Sequence, residues 1–275
     1  MPQTYPKGIV RPDRIKPLAR RHPWIFSGAI KEKPNALAGD VVDLCDEKDN
    51  FLARGFYNPN SQICIRLVSW DPKDVIDDAF IAQRIKRAVA LRQELLNDPR
   101  SNCARMFFSE ADGLPGLIVD KFADAIVVAS STAAIDARMD TVVATLRDLL
   151  VPHFIIEKSD GENRAREGLQ ARARILLGNP ENETPQVSVL SSGLQFKVNF
   201  GSGQKTGFYL DQAINRQTVA AFCRDKRVLD CFSFAGTFAT HALHSGASHV
   251  TIVDSSRAAC DAAVENLKLN NLYTE

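Results

Sequence analysis

Apolar and polar positions change their period along the chain, and each change marks a different kind of element. Over residues 1–75 they alternate in short bursts. "GDVVDLCDEKDNFLARGFYNPNSQICIRLVSW" sets β-branched and apolar residues between Asp, Asn, Gly and Pro turns. Alternation at period two, broken every few residues by turn formers, predicts short strands forming a small β-barrel-like module. The period then lengthens. In "DPKDVIDDAFIAQRIKRAVALRQELLNDP" Ile81, Ile85, Val89 and the Leu91/Leu95 region recur at helical spacing, with Pro99 beyond the end. "RMFFSEADGLPGLIVDKFADAIVVAS" predicts two strands around Gly/Pro turns, followed by a helix near 133–150. "HFIIEKSDGENRAREGL" predicts another strand and a polar loop. Residues 76–178 are thus expected to form a middle α/β domain.

"GNPENETPQ" is rich in Pro, Asn and Glu without periodicity, which predicts a linker over 179–186. "VSVLSSGLQFKVNFGSG" reads as a hairpin, and "LDQAINRQTVAAF" as a helix with Asp211 a plausible N-cap. "RVLDCFSFAGTFATHALHSGASHVTIVD", residues 227–254, then runs strand, small-residue turn, helix, strand. "SSRAACDAAVENLKLNN" closes with a helix carrying Ala259, Ala263 and Leu267 on one face. The fold class is α/β multidomain, with residues 187–275 an incomplete Rossmann-like domain.

Composition changes this picture little: 45% hydrophobic, 24% charged and net +1 are the values of an ordinary globular protein. The distribution of charge is more informative. Residues 1–35 carry Lys7, Arg11, Arg14, Lys16, Arg20, Arg21, Lys31 and Lys33 against Asp13 and Glu32, a local balance of +6. Arg84, Lys86, Arg87 and Arg92 form a second basic run on the expected helix. Such patches suit a polyanion such as nucleic acid, although a solvated face explains them as well. The six cysteines are scattered without metal-ligand spacing, so no metal is expected. With no signal-peptide core and no stretch of about 20 apolar residues, the expected location is a reducing cytoplasm.

The candidate chemistry lies in the 227–254 stretch. A strand ending in Asp230, a turn, and a second strand ending in Asp254 form half of a nucleotide fold. Dinucleotide pyrophosphate wants several bare backbone amides. Here Gly236 is the turn's one glycine, between Phe234 and Phe238, which disfavours pyrophosphate. "GSGQKTG" at 201–207 has Lys-Thr but Gln204 before Lys205 and a hairpin before it, which disfavours a P-loop. S-adenosylmethionine has no phosphate. It asks for an acid near its amino group, a close turn and an acid for its ribose, which "D-x-F-x-x-x-G" from Asp230 to Gly236 with Asp254 supplies. Cys231, in a strand, and Cys223 and Cys260, on helices, read as structural; Trp24 and Phe26 read as core of the first module, ahead of the alternative of base-stacking platforms. His241 and His244 read as ordinary helix positions.

"QKTGFYLDQ" (204–212), "VLDCFSFAGTFATHAL" and "VTIVDSS" together resemble the class I methyltransferase domain of the ribosomal RNA large subunit methyltransferase I family. "HPWIFSGAI" (22–30) resembles that family's N-terminal PUA domain, an RNA-binding β-barrel, and "EADGLPGLIVDKF" (110–122) its middle domain. The resemblance implies S-adenosylmethionine as cofactor and 23S ribosomal RNA as partner, with cytosine C5 the characteristic target. It implies no membrane and leaves a homodimer open. Carried onto this chain, Asp230, Phe232, Ser233 and Gly236 would line the methionine side, and Asp254 with Ser255 the ribose. Lys205, Thr206, Gly207, Tyr209 and Asp211 would lie near cofactor and substrate, while Lys16, Arg20, Arg21 and His22 would contact RNA. In that family the nucleophilic cysteine lies on later strands, here expected beyond Glu275. No catalytic residue is therefore assigned, and the chain is expected to be a fragment, or one completed by another chain, inactive alone. Methylation of another RNA base, or a non-catalytic RNA-binding role, are the alternatives.

Overall fold

The computed structural model describes residues 4–159, 161–178, 186–200 and 208–273. The chain divides into two compact units. One comprises Met1–Leu91, Met106–Val119 and Ile126–Gly178, the other Arg92–Arg105, Asp120–Ala125 and Asn179–Glu275.

The first unit opens with β1 (Lys7–Val10), α1 (Lys16–Ala19), β2 (Trp24–Phe26), β3 (Ile30–Glu32), β4 (Val41–Cys45), β5 (Phe51–Tyr57) and β6 (Ile63–Ser69). These strands form one sheet in the order β2-β6-β5-β4-β1-β3, antiparallel except where β1 pairs β4. The sheet surrounds a core that includes Val10, Leu18, Ile25, Leu44, Ala53 and Ile65. Its one deeply placed charge is neutralised: Arg54 donates from Nε and Nη2 to the two carboxylate oxygens of Asp43.

Next come α2 (Asp78–Leu91) and α3 (Gln93–Leu96), then β7 (Cys103–Phe108), β8 (Leu117–Phe122), β9 (Ala125–Ser130), α4 (Ala133–Asp136), α5 (Met139–Leu150), β10 (Phe154–Ser159), α6 (Glu162–Arg166) and β11 (Arg172–Leu177). The five strands form a sheet in the order β11-β10-β9-β8-β7. Three expectations change here. The helical stripe stops early: Leu91 and Leu95 are exposed, because α2 ends at Leu91 and Arg92 leaves helical geometry before the four-residue α3. Residues 103–130 make three strands rather than two. The polar loop after β10 contains α6, and its Arg164 is buried, donating to both carboxylate oxygens of Asp136 and to the Ser130 carbonyl. The charged sequence there reads as solvated because a paired interior guanidinium leaves no apolar signature.

The second unit contains β12 (Gln186–Ser191), β13 (Leu194–Asn199), α7 (Ala213–Ala220), β14 (Arg227–Cys231), α8 (Thr237–His244), β15 (His249–Val253) and α9 (Arg257–Leu269). β12 and β13 are the expected hairpin, closed by Ser192 and Gly193, both at positive φ (54° and 84°) as a two-residue hairpin turn requires. Of the expected linker, only Gln186 is described, and it begins β12. The N-cap expectation fails. Residues Leu210–Gln212 form a 3-10 turn, so α7 starts two residues after Asp211, and Asp211 is exposed. β14 and β15 pair in parallel, with Asp230 opposite Ile252. α8 packs on both strands and against α7 and α9.

Candidate functional site

The turn after β14 is built from unusual backbone. Phe232, Phe234 and Gly236 all adopt positive φ (58°, 50° and 67°). A left-handed conformation at a non-glycine residue costs on the order of 1–3 kcal/mol and persists only where surrounding contacts over-determine it. Those contacts are specific. Phe234 N–H donates to Asp254 Oδ2 at 2.9 Å, Ser233 N–H to the Val253 carbonyl at 3.2 Å, and Gly236 N–H to the Ser233 carbonyl at 2.9 Å. Gly236 is required twice over, since a Cβ there would lie 2.6 Å from Ala263 Cβ on α9.

The two acids are shifted in opposite directions. Asp230 accepts from Ala239 N–H at 3.1 Å, capping α8 from the neighbouring strand, because Gly236 at the N-cap has no side chain to do so. Burial, followed by the charge of Asp254, raises the Asp230 carboxyl above its ordinary range despite that hydrogen bond. Asp254 accepts from Ser256 and Phe234 N–H, which hold its pKa below the usual carboxylate value. Each Asp254 oxygen keeps acceptor capacity for a further donor. Ser233 is buried, and its hydroxyl is without a hydrogen-bond partner among the described residues.

Two residues outside the motif brace the turn. Asn266, fully buried on α9, donates to the Ala235 carbonyl at 2.9 Å and accepts from Lys197 N–H of β13 at 2.9 Å, tying turn to hairpin. Buried Arg216 donates to the Tyr209 carbonyl at 2.9 Å and lies 4.9 Å over the Phe208 ring; burial lowers its pKa to about 10. The Tyr209 ring meets Phe234 edge-on at 5.6 Å, bringing Tyr209 to the turn. Asn266 could have been noticed as an amide on the Ala259–Ala263–Leu267 face, where solvation is unavailable; Arg216 carries no such signal.

Of the other expected residues, Phe232 is 91% exposed and Ser255 is exposed beside Asp254. Lys205, Thr206 and Gly207 lie outside the described residues. Cys231 is exposed rather than a core residue, because it sits on the face of β14 opposite the one α8 covers. Cys223 is buried in its expected structural place. His241 is buried and stacks parallel to Phe196 at 5.9 Å; desolvation drives its pKa to about 4, so it stays neutral.

In the first unit, Lys16, Arg20, Arg21 and His22 are all exposed on the segment leading into β2. Trp24 and Phe26 are 38% and 49% exposed, which overturns the core reading. Strand alternation turns Ile25 inward and both aromatics outward.

Residues 9–70 match the PUA-like domain family, and residues 164–273 match the S-adenosylmethionine-dependent methyltransferase family. Ribosomal RNA large subunit methyltransferase I from Klebsiella pneumoniae (strain 342) is 35% identical over 269 residues, covering 98% of this chain and 67% of that protein. The chain belongs to the ribosomal RNA large subunit methyltransferase I family. Its relatives of that name from Alteromonas mediterranea and Pseudoalteromonas translucida are 38% and 40% identical over 263 and 260 residues, 95% and 94% of this chain. The chain spans about two thirds of the length of these curated relatives, 66% and 65%. Among solved structures, a SAM-dependent methyltransferase from Streptococcus mutans superposes with TM-score 0.82 at 22% identity, covering 98% of this chain and 68% of its own. A methyltransferase complexed with SAH gives TM-score 0.83 at 22% identity, covering 98% and 67%. The fold is thus an N-terminal PUA-like module joined to Rossmann-like methyltransferase architecture.

For this methyltransferase-family chain, the turn suits the family's cofactor on its own atoms. The buried Ser233 hydroxyl is without a partner among the described residues, and the Asp230 carboxylate is desolvated beside the turn. Among the described residues no helix is long and apolar enough to cross a membrane, and no His/Cys/Asp/Glu group could hold a metal ion.

Proposed function

We propose that residues 187–275 hold S-adenosylmethionine at the β14 turn, that residues 1–75 grip RNA, and that residues 76–178 lie between them in sequence. The observation that carries this reading is the pair of carboxylates, Asp230 and Asp254, flanking a strained turn whose buried Ser233 hydroxyl is without a partner among the described residues. Asp230 would meet the cofactor's amino group, with Phe232, Ser233 and Gly236 lining its methionine side. Asp254 and Ser255 would take the ribose hydroxyls, and Tyr209 would close the turn beside Phe234. Lys205, Thr206, Gly207 and Asp211 are assigned to the same neighbourhood on sequence alone. When bound, the cofactor supplies an electrophilic methyl group on sulfonium.

We infer that the acceptor is 23S ribosomal RNA, the class of substrate that the relatives' names state, and that the base is cytosine at C5. Cytosine C5 becomes nucleophilic once a thiolate adds to C6. The thiols of Cys64 and Cys103 are pushed up to about 11 by burial, far from a thiolate at neutral pH. We infer that the 275 residues hold the donor without transferring the methyl by themselves, and no nucleophile is assigned among them.

Equilibrium dialysis with radiolabelled S-adenosylmethionine tests the site. The chain is expected to bind it, and Asp254→Ala to weaken binding at least tenfold, about 1.4 kcal/mol. Asp230→Asn is expected to weaken it too while raising the melting temperature at neutral pH. The sign follows from the raised pKa: the contribution of Asp230 to stability is present below its unfolded pKa and lost as pH rises through the folded value. Undiminished affinity in both variants would refute the assignment. Incubation with undermodified 23S RNA should give no incorporation, and robust incorporation would overturn the inference of inactivity.

A further inference from the structure

Three aromatic rings stand exposed around one cleft of about 910 Å³ in the first unit: Trp24, Phe26 and Phe108, at 38%, 49% and 48%. Rings this large are ordinarily buried, and an exposed cluster marks a binding surface. Trp24 is also held rigid. Its Nε1–H donates to Glu110 Oε1 at 2.7 Å, His22 packs edge-on at 5.9 Å, and the Arg66 guanidinium lies 5.9 Å from its ring centroid. Arg66 in turn donates to Glu110 at 3.2 Å and Glu167 at 2.7 Å. Glu167 accepts from Ser61 Oγ at 2.6 Å and Asn58 Nδ2 at 2.9 Å. A platform fixed in advance loses little entropy when a ligand stacks on it.

The charges narrow the ligand class. Burial raises the Glu110 carboxyl, but hydrogen bonds from Ser109 and Trp24 and the charge of Arg66 outweigh it, so Glu110 stays ionised. Both glutamates are thereby engaged with Arg66, while the exposed Arg166, which also lines the cleft, adds positive charge beside the flat aromatic faces. Amides of Asn60, Gln62 and Asn163 line the same cleft and can donate to or accept from a ring edge. The exposed, basic Lys16, Arg20, Arg21 and His22 run directly into β2, where a sugar-phosphate chain would be drawn.

We propose that this cleft takes an unpaired RNA nucleotide, its base stacked on Trp24, Phe26 and Phe108 and its backbone on the 16–22 segment. The proposal rests on the reading of the chain as one that acts on RNA, and it adds a base pocket to the basic contacts of the module. Stacking of this kind is sequence-tolerant, with the amide rim supplying any preference.

The test is fluorescence anisotropy of the full 275-residue chain with two labelled probes of about ten nucleotides, an unstructured oligoribonucleotide and its abasic counterpart. The base-bearing probe is expected to bind at least about fivefold tighter. Phe26→Ala and Phe108→Ala should each erase most of that preference, with unchanged melting temperatures because both rings are half-exposed. Trp24→Phe, which keeps a stacking face, should retain most of it. Equal affinity for the two probes, or a preference untouched by the phenylalanine variants, would overturn the base pocket while leaving RNA binding intact, and would assign the cleft to another class of occupant. Failure of the chain to bind either probe would refute the RNA reading itself and this pocket with it.

Discussion

The sheet of the first module and the β14–β15 pair use the same alternation of side chains and end in opposite conditions. In β5 the residues Ala53 to Tyr57 are all buried, since the module's core covers the face of Ala53 and Tyr57 while the 72–74 segment and Arg138 cover Arg54 and Phe56 on the other. In β14 and β15 every second residue is exposed: one face carries α8, and the other shows Leu229 and Val253 to solvent. Parallel strands are ordinarily covered on both faces. The difference teaches where each region keeps its function. The closed sheet can act only through what its surface presents, such as the aromatics of β2. The open pair acts through the end of its strands, where a strained turn gathers two carboxylates.

The sharpest way to break this comparison is a core truncation. Ile65→Ala, in the closed sheet at full burial, should destabilise the chain by about 2–5 kcal/mol in urea unfolding. Next in size, Gly236→Ala should cost about 2–4 kcal/mol, because its left-handed backbone and the 2.6 Å approach to Ala263 both resist a Cβ. A melting temperature unchanged in that variant would show the turn to be pliable rather than over-determined. A smaller effect concerns pH. With a folded pKa near 4 against an ordinary 6.5, His241 contributes stability above pH 6.5 that is lost as pH falls toward 4. His241→Phe, which keeps the ring against Phe196, should flatten the stability profile in that window by up to one proton's slope. Smallest of all, Leu229→Ser on the open face should change stability by no more than about 0.5 kcal/mol. A larger loss there would mean that the face is covered in solution.

Much of the fold was legible because it is written in local periods. The short strands of the first module, the β12–β13 hairpin and the alternation of β14, α8, β15 and α9 each follow from spacing and turn residues. What escaped was long-range. Leu91 and Leu95 carry a helical stripe, yet the helix breaks at Arg92, and a stripe cannot announce its own interruption. Trp24 and Phe26 read as core because apolar side chains usually are. Only the pairing of β2 with β6 decides that Ile25 takes the interior and its neighbours the outside.

At the site the division is similar. Asp230, Gly236 and Asp254 could be named from strand ends and a single glycine, since those positions are set by chain-local geometry. Arg216 could not, because its partner, the Tyr209 carbonyl, is met only after α7 has packed; Asn266 showed only as an amide on an apolar face, its partner, the Ala235 carbonyl, being 31 residues away. The sequence by itself determined most of the elements, their order and the residue types at the turn, all properties of neighbours along the chain. The tertiary structure alone decided which polar groups are desolvated and which are hydrogen-bonded, and therefore which acid has its pKa raised and which lowered. Desolvation depends on everything within a few ångströms, and the order of residues does not state what those neighbours are.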